Sequence, residues 1–449
     1  MILLINPKTS KDEQIAKREY FREPSLGILY IAAILDSEDL NVDILDLEQF
    51  FHLTQKEVGN ILKRKIKSYS IFGITCLTNT YKFALKIANI IKRASPSNII
   101  IFGGPHATFQ YKQILSLQTN KINLVDFICV GESEISFLQL VKTLKKGVER
   151  SKNVSEIDLK KIKGIAFKNQ KGKIVFTGTP EQFLDIEAIP LPARYLLNQE
   201  NYKYTVANVI VNRGCPNQCS FCSRQKLFKK TRIRTPLSME SEIRDIMGVL
   251  SYEYINFYDN ININRDFFQR FCKMLIRNFN GDYLTVPWGC ELRVDTISSK
   301  EAKLIKEAGC QLVATGIESA SKEVLRKNFK YQDPNHVKKG IEHLKQYEIP
   351  IQAYFVLGLP GETEESFEKT VEYIRDLPLD ANDKINYFVA TPYPGSKLWE
   401  EKEELNLKII DDDFNHFDCE NIIFETPELK KEQLENMLNV AKDLESSFS

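Results

Sequence analysis

The chain of 449 residues is long enough for two or three domains with a large core. Its 61 Lys and Arg against 60 Asp and Glu leave a formal net charge of +1, which excludes a broadly basic nucleic-acid surface, and no nucleic acid is expected as a partner. Hydrophobic residues at 43% and charged ones at 27% are ordinary for a globular protein. No apolar run reaches membrane length and the apolar start Met1–Pro7 is far too short, so neither a membrane span nor a signal segment is expected.

Residues 1–150 alternate apolar strands with helices. Strands are predicted at Ile2–Ile5, Val42–Leu47, Ile71–Thr75, Asn98–Phe102 and Phe127–Val130, and helices at Leu29–Leu35, Glu57–Ser68, Phe83–Arg93 and Glu134–Lys145. Continuous apolar strands between helices predict a parallel sheet covered on both faces, with ligands bound beyond the C-terminal strand ends. The turns there are Thr75-Cys76-Leu77-Thr78, Gly103-Gly104-Pro105-His106 and Gly131-Glu132-Ser133-Glu134. Glycines let backbone approach a bulky ligand, and small hydroxyls offer it donors. Residues 151–205 read as a linker with a β-hairpin, in which Ile162–Phe167 and Lys173–Phe176 flank Asn169–Gly172, followed by an extended crossing at Pro190-Leu191-Pro192.

A β-branched run, Val206–Val211, predicts a further strand, which feeds Arg213-Gly214-Cys215-Pro216-Asn217-Gln218-Cys219-Ser220-Phe221-Cys222-Ser223. Three thiolates spaced Cys-x3-Cys-x2-Cys can cap three irons of a 4Fe-4S cluster and leave the fourth iron open. Structural zinc wants four closed ligands, and no fourth Cys or His lies near the loop. The spacing, with Phe221 before the third cysteine, resembles the signature loop of the radical S-adenosylmethionine (radical SAM) superfamily. In that family the open iron binds SAM, and the reduced cluster cleaves it to a 5′-deoxyadenosyl radical. Nine cysteines without a disulfide pattern, together with such a loop, imply a reducing, cytoplasmic setting.

Residues 206–400 continue the alternation. Strands are predicted at Tyr254–Phe257, Pro287–Glu291, Leu312–Thr315, Ile351–Val356 and Ile385–Val389, with helices such as Met239–Leu250, Lys300–Ala308 and Asn335–Tyr347 between them. Six strand–helix units predict a partial TIM-like barrel whose active face holds the cysteines. The strand ends Tyr258-Asp259-Asn260, Glu291-Leu292-Arg293, Gly316-Ile317-Glu318, Leu357-Gly358-Leu359-Pro360-Gly361-Glu362 and Thr391–Ser396 resemble, in order, those of the cobalamin-dependent radical SAM branch. By that resemblance Arg293 and Glu318 hold the polar groups of SAM, and Leu357 and Gly358 border its adenine; a salt bridge between Arg293 and Glu318 is the plainer alternative. Cys272, Cys290, Cys310 and Cys419 read as packing residues. The tail, residues 401–449, is predicted to carry an amphipathic helix at Glu428–Leu444 that closes the barrel side or packs between domains.

The whole chain therefore resembles an α/β cobalamin-binding radical SAM enzyme. The implied fold is an N-terminal Rossmann-like (flavodoxin-like) cobalamin-binding domain over residues 1–150, then a partial (β/α)6 TIM-like radical SAM barrel. Thr75, Gly103, Gly104, Gly131 and Glu132 would touch cobalamin. The family's Asp-x-His-x-x-Gly motif, which supplies an axial histidine, is absent; of the five histidines only His52 and His106 fall in this region, and His106 reads as a loop residue. Cobalamin without a histidine axial ligand is the expectation. The implied reaction is methylation of an unactivated carbon in a small-molecule or lipid substrate, with flavodoxin or ferredoxin as electron donor. Cyclisation, rearrangement or oxidation without methyl transfer is an alternative, and a non-catalytic iron–sulfur or cobalamin sensor is a rival from another class. A tRNA methylthiotransferase is a further rival, against which stand the lack of extra cluster cysteines, with only Cys76 and Cys129 in the N-terminal region, and a short tail of mixed charge.

Overall fold

The computed structural model describes residues 1–8, 23–50, 53–119, 122–149, 154–180, 184–197, 204–249, 252–279 and 286–448. His52 and Leu250 lie outside the described residues. The chain forms two compact units, Met1–Tyr204 and Thr205–Ser449.

The first unit is built from β1 (Ile2–Asn6), α1 (Leu26–Asp36), β2 (Val42–Asp46), α2 (Gln55–Lys65), β3 (Ile71–Thr75), α3 (Tyr81–Ala94), β4 (Ile99–Gly103), α4 (Pro105–Ser116), β5 (Phe127–Cys129), α5 (Glu134–Glu149), β6 (Ile165–Lys168) and β7 (Ile174–Phe176). The sheet runs β2-β1-β3-β4-β5-β6-β7, with the first five strands parallel. Ile2, Leu3, Leu4 and Ile5 are all buried, as a central strand with helices on both faces requires. Helix α3 buries Phe83, Ala84, Ile87, Ala88 and Ile91, one helical stripe. A Thr54–Glu57 capping box starts α2. The order of the parallel strands places a switch point at the ends of β1 and β3.

Two expectations need correction here. The hairpin of residues 165–176 is not a spacer: β6 pairs antiparallel with β5, and β7 with β6, so the hairpin extends the first sheet. Periodicity finds a hairpin but not the edge it will pair with. The second concerns His106, which sits in the first turn of α4 and is fully buried. Pro105 at the first helical position starts that helix, which the Gly-Gly-Pro run disguised as a loop.

The second unit carries β8 (Val206–Ile210), α6 (Pro236–Val249), β9 (Tyr254–Asn260), α7 (Arg265–Phe279), β10 (Trp288–Glu291), α8 (Ser299–Glu307), β11 (Cys310–Glu318), α9 (Pro334–Lys345), β12 (Ile351–Leu357), α10 (Glu364–Asp376), β13 (Lys384–Val389) and α11 (Lys431–Ser446). Its six strands are all parallel, in the order β8-β9-β10-β11-β12-β13. Strand β11 is longer than predicted and takes in Gly316, Ile317 and Glu318. Cys272, Cys290 and Cys310 are buried, and Cys419 is half-buried beside the Tyr393 hydroxyl at 3.3 Å.

The tail covers the outer edge of β13. The Val389 N–H donates to the Cys419 carbonyl at 2.7 Å, and the Tyr387 N–H donates to the Glu445 carboxylate of α11. Those N–H groups would otherwise offer an unpaired strand edge. Among the described residues no helix is long and apolar enough to cross a membrane.

Candidate active site

The cysteine loop follows β8 and is fixed from three sides. Gly214 has φ +87°, and a Cβ there would lie 2.5 Å from the Lys230 carbonyl, so only glycine fits between the loop and the ribbon formed by Asn212–Arg213 and Arg232–Ile233. Ser220 donates its N–H to the Asn328 carbonyl at 3.0 Å and its hydroxyl to Asn328 Oδ1 at 2.6 Å. Its own carbonyl accepts the Leu398 N–H at 3.0 Å. Phe221 packs on the core of Val324, Val356, Leu359 and Leu398. Cys215 and Cys219 are half-buried and Cys222 is exposed. Burial pushes the Cys219 thiol up to about 11, an effect that nearby Lys330 opposes. Among the described residues no three His, Cys, Asp or Glu side chains converge on one metal-ion position. A four-iron cluster does not need that convergence, because each thiol meets its own iron.

Arg293 and Glu318 do not pair with each other. The Arg293 guanidinium binds Asp295 at 2.6 and 3.0 Å, the Tyr331 carbonyl at 2.7 Å and Asn217 Oδ1 of the cysteine loop at 3.3 Å. Burial disfavours its charge, but Asp295 and the nearby cysteines outweigh that and raise its pKa. Glu318, at φ +66°, binds Lys330 at 2.9 Å, with both side chains largely buried. Gly316 leaves room for the Glu318 carboxylate, which a Cβ there would strike.

Leu357 and Gly358 lie at the end of β12 and in the turn that follows it. Leu357 is 1% exposed and its carbonyl accepts the Ala390 N–H at 2.8 Å. Gly358 is buried, and its N–H donates to Glu362 Oε2 at 2.6 Å. Both residues build the turn. Burial pushes the Glu362 carboxyl up to about 8, against the pull of that N–H and the Leu359 N–H.

Sequence reasoning missed Asn217, Ser220 and Asn328, because their partners lie far off in the chain; it also missed Asp295 and Lys330, whose nearer partners Arg293 and Glu318 were assigned to SAM instead. It also missed Arg224, which pairs with the buried Asp259. On the strand faces turned away from the helices, Asn208 pairs with Asn256 at 3.0 Å and Gln352 with Asn386 at 2.8 Å. On that same face Tyr354 and Phe388 meet edge to face at 5.5 Å.

In the first unit, Thr75, Gly103, Gly104, Gly131 and Glu132 all lie half-buried at parallel strand ends. Gly104 has φ +93°, and a Cβ there would press on the Cys76 backbone and Thr75 Oγ1 at 3.1 Å. A side chain at Gly104 would thus strike the protein. At Gly103 a Cβ would find only Ser133 Oγ, at 3.9 Å, so backbone there is open to a close-fitting ligand. The Gly131 N–H, at φ +81°, donates to Thr108 Oγ1 at 2.9 Å. His106 hydrogen-bonds Thr78 Oγ1 at 3.2 Å through Nδ1, and its ring packs on Tyr81 with centroids 4.3 Å apart. It is built into the core.

The Radical SAM superfamily model matches residues 209–374 and the B12 binding domain model residues 16–141. The chain is 32% identical to an uncharacterized methyltransferase of Pyrococcus horikoshii over 89% of this chain and 82% of that one. It is 31% identical to an anaerobic magnesium-protoporphyrin IX monomethyl ester cyclase of Rubrivivax gelatinosus, over 81% of this chain but only 62% of that one. Its fold matches the radical SAM methyltransferase TsrM of Kitasatospora setae, solved with cobalamin and a 4Fe-4S cluster, with TM-score 0.74 and 14% identity over 98% of this chain and 90% of that one. The cobalamin-dependent radical enzyme OxsB matches with TM-score 0.75 and 17% identity, over 98% and 66%. The chain belongs to the radical SAM superfamily, in the branch that carries an N-terminal B12-binding domain. It is an enzyme whose cofactors are a 4Fe-4S cluster, SAM and cobalamin.

Proposed function

We propose that the enzyme methylates an unactivated carbon of a small-molecule substrate, with Cys215, Cys219 and Cys222 as the three protein ligands of the cluster. The observation that carries the reading is the three-thiol loop, gripped through Ser220, at the C-terminal end of the first strand of a six-stranded parallel barrel. When bound, the cluster with SAM supplies a 5′-deoxyadenosyl radical, and cobalamin supplies the methyl group.

The chain's own residues bind and orient. Phe221 anchors the loop in the core, so the three thiols keep their spacing as the cluster loads. Arg293 and Glu318 take the carboxylate and amino or ribose groups of SAM, exchanging contacts they now make with Asp295 and Lys330. Leu357 and Gly358 border the adenine of SAM by apolar and backbone contact from the turn they build. Thr75, Gly103, Gly131 and Glu132 line the cobalamin edge, and Gly104 holds that edge in place. The amide pairs and the Tyr354–Phe388 pair favour a substrate with both polar groups and a ring or apolar body, which includes some lipids. An electron-carrier protein of the flavodoxin or ferredoxin kind would reduce the cluster, in the reducing cytoplasm that such a loop needs.

Cyclisation is the second reading, favoured by the relative named as a cyclase. Anaerobic turnover with SAM and candidate substrates, read by mass, separates the two. A product heavier by one methyl group supports methylation; an isomeric or dehydrogenated product without added carbon supports the second reading.

A further inference from the structure

Ser220 and Phe221 hold the middle of the cysteine loop; its two ends are tied by a different side chain, Arg224, two residues past Cys222. The Arg224 guanidinium forks onto both carboxylate oxygens of Asp259 in β9. It also donates to the Asn212 carbonyl at 3.0 Å. Asn212 stands three residues before Cys215, so one guanidinium joins the entry of the loop to its exit. Asn212 is 1% exposed and donates from Nδ2 to the Asn260 carbonyl at 3.2 Å, which binds the entry to the end of β9 as well. The Arg224 N–H hydrogen-bonds the Cys222 sulfur, so a shift of Arg224 is a shift at the third thiol. Strand β9 is bent to meet this side chain. Asp259 has φ +80°, a left-handed conformation that few residues other than glycine adopt. The ladder between β9 and β10 shifts register between Phe257 and Asn260, and such an irregularity re-aims a side chain. Here it delivers a carboxylate that is only 7% exposed, and backbone strain of this kind gathers at functional sites.

We propose that the Arg224–Asp259 pair is a clasp that positions Cys222 for the cluster, by closing the two ends of the loop on each other and on β9. Both are positioning residues; neither is an iron ligand. This inference rests on the cluster assignment above. Groups that orient a metal ligand from behind change metal retention by about 10–100-fold when they are removed. The fork matters as well as the charge, because only a planar guanidinium can reach both Asp259 oxygens and the Asn212 carbonyl at once.

The test follows iron loss to an anaerobic chelator from the full-length reconstituted protein, alongside urea unfolding. Arg224→Met/Asp259→Asn removes both charges together, so no lone charge is left buried, and asparagine tolerates the positive φ. Its urea midpoint should stay near wild type, while its iron should be stripped about ten-fold faster or more. Arg224→Lys keeps an ion pair with Asp259 but not the fork, and should recover part of the wild-type retention. Lys226→Gln breaks only the surface pair with Glu400, on the same short helix, and should lose iron at the wild-type rate. A wild-type rate of iron loss from the double variant would overturn the proposal, as would equal loosening by Lys226→Gln. If the double variant folds poorly, Arg224→Lys and Lys226→Gln decide the same question: the first must lose iron faster than wild type and the second must not. Wild type that takes up no cluster would instead refute the cluster assignment itself.

Discussion

Ser220 and Asn328, 108 residues apart in the chain, grip each other through two hydrogen bonds, one from the Ser220 N–H and one from its hydroxyl. Asn328 is fully buried and in turn donates to the carbonyls of Val324 and Pro360, both at 2.9 Å. One side chain thus ties the middle of the cysteine loop to the turn after β12.

Asn328→Ala would leave the Ser220 hydroxyl and the Pro360 carbonyl without this partner, while the Val324 carbonyl keeps the backbone N–H of residue 328 at 3.1 Å. Each such loss costs about 1–3 kcal/mol, so the variant should lose several kcal/mol of stability in urea unfolding. It should also retain less iron after reconstitution. Asn328→Asp keeps the acceptor for Ser220 but loses both donated bonds, while Ser220→Ala should cost only about 1 kcal/mol. Wild-type stability in Asn328→Ala would show that the loop is held by its other contacts.

The Glu318–Lys330 pair makes a simple test of SAM binding ambiguous. Removing one member of a buried ion pair leaves the other uncompensated, at a cost of about 3–5 kcal/mol. Glu318→Gln should therefore be unstable as well as weak for SAM. The double variant Glu318→Gln/Lys330→Met should regain stability yet still bind SAM poorly, by about one to two decades. Calorimetric titration with SAM checks this; wild-type affinity in the double variant would make Glu318 a structural residue. Arg293→Ala should weaken SAM binding by a similar factor.

Gly103 and Gly104 should separate fold from ligand. Gly104→Val forces a side chain into the Cys76 backbone at a positive φ, so it should destabilise the first unit. Gly103→Val points into open space and should leave thermal stability near wild type while abolishing cobalamin uptake. Unimpaired uptake in Gly103→Val would place the corrinoid elsewhere.

His106 gives a pH dependence. Burial lowers its pKa from 6.5 to about 3. Above pH 6.5 it is neutral folded or unfolded and has no effect. Below that the unfolded chain takes up a proton that the folded one refuses, so stability falls with pH by about 1.4 kcal/mol per unit. His106→Asn should flatten that part of the acid limb in unfolding at pH 7 to 5. The Co(II) spectrum should carry no axial-nitrogen splitting in wild type or variant; such splitting in wild type would contradict the expectation of cobalamin without a histidine ligand.

Much of this was legible in the sequence because its signals are local. The Cys215–Cys222 spacing, the β-branched strands and the glycine-rich strand ends each declare themselves within a dozen residues. Pairings across the chain were not legible. The pattern of Ile165–Phe176 says hairpin, but only the fold shows it pairing with Phe127–Cys129. Lys330 lies in a polar stretch after a short helix, and nothing there marks it as the partner of Glu318.

The most direct measurement is iron, sulfide and 5′-deoxyadenosine on anaerobically reconstituted protein, comparing wild type with the triple variant Cys215→Ala/Cys219→Ala/Cys222→Ala. Wild type should hold about four irons and four sulfides per chain and release 5′-deoxyadenosine from SAM under dithionite; the triple variant should do neither, while Cys272→Ala should match wild type. A triple variant that kept a full cluster, or a wild type that held none, would contradict the assignment of this loop.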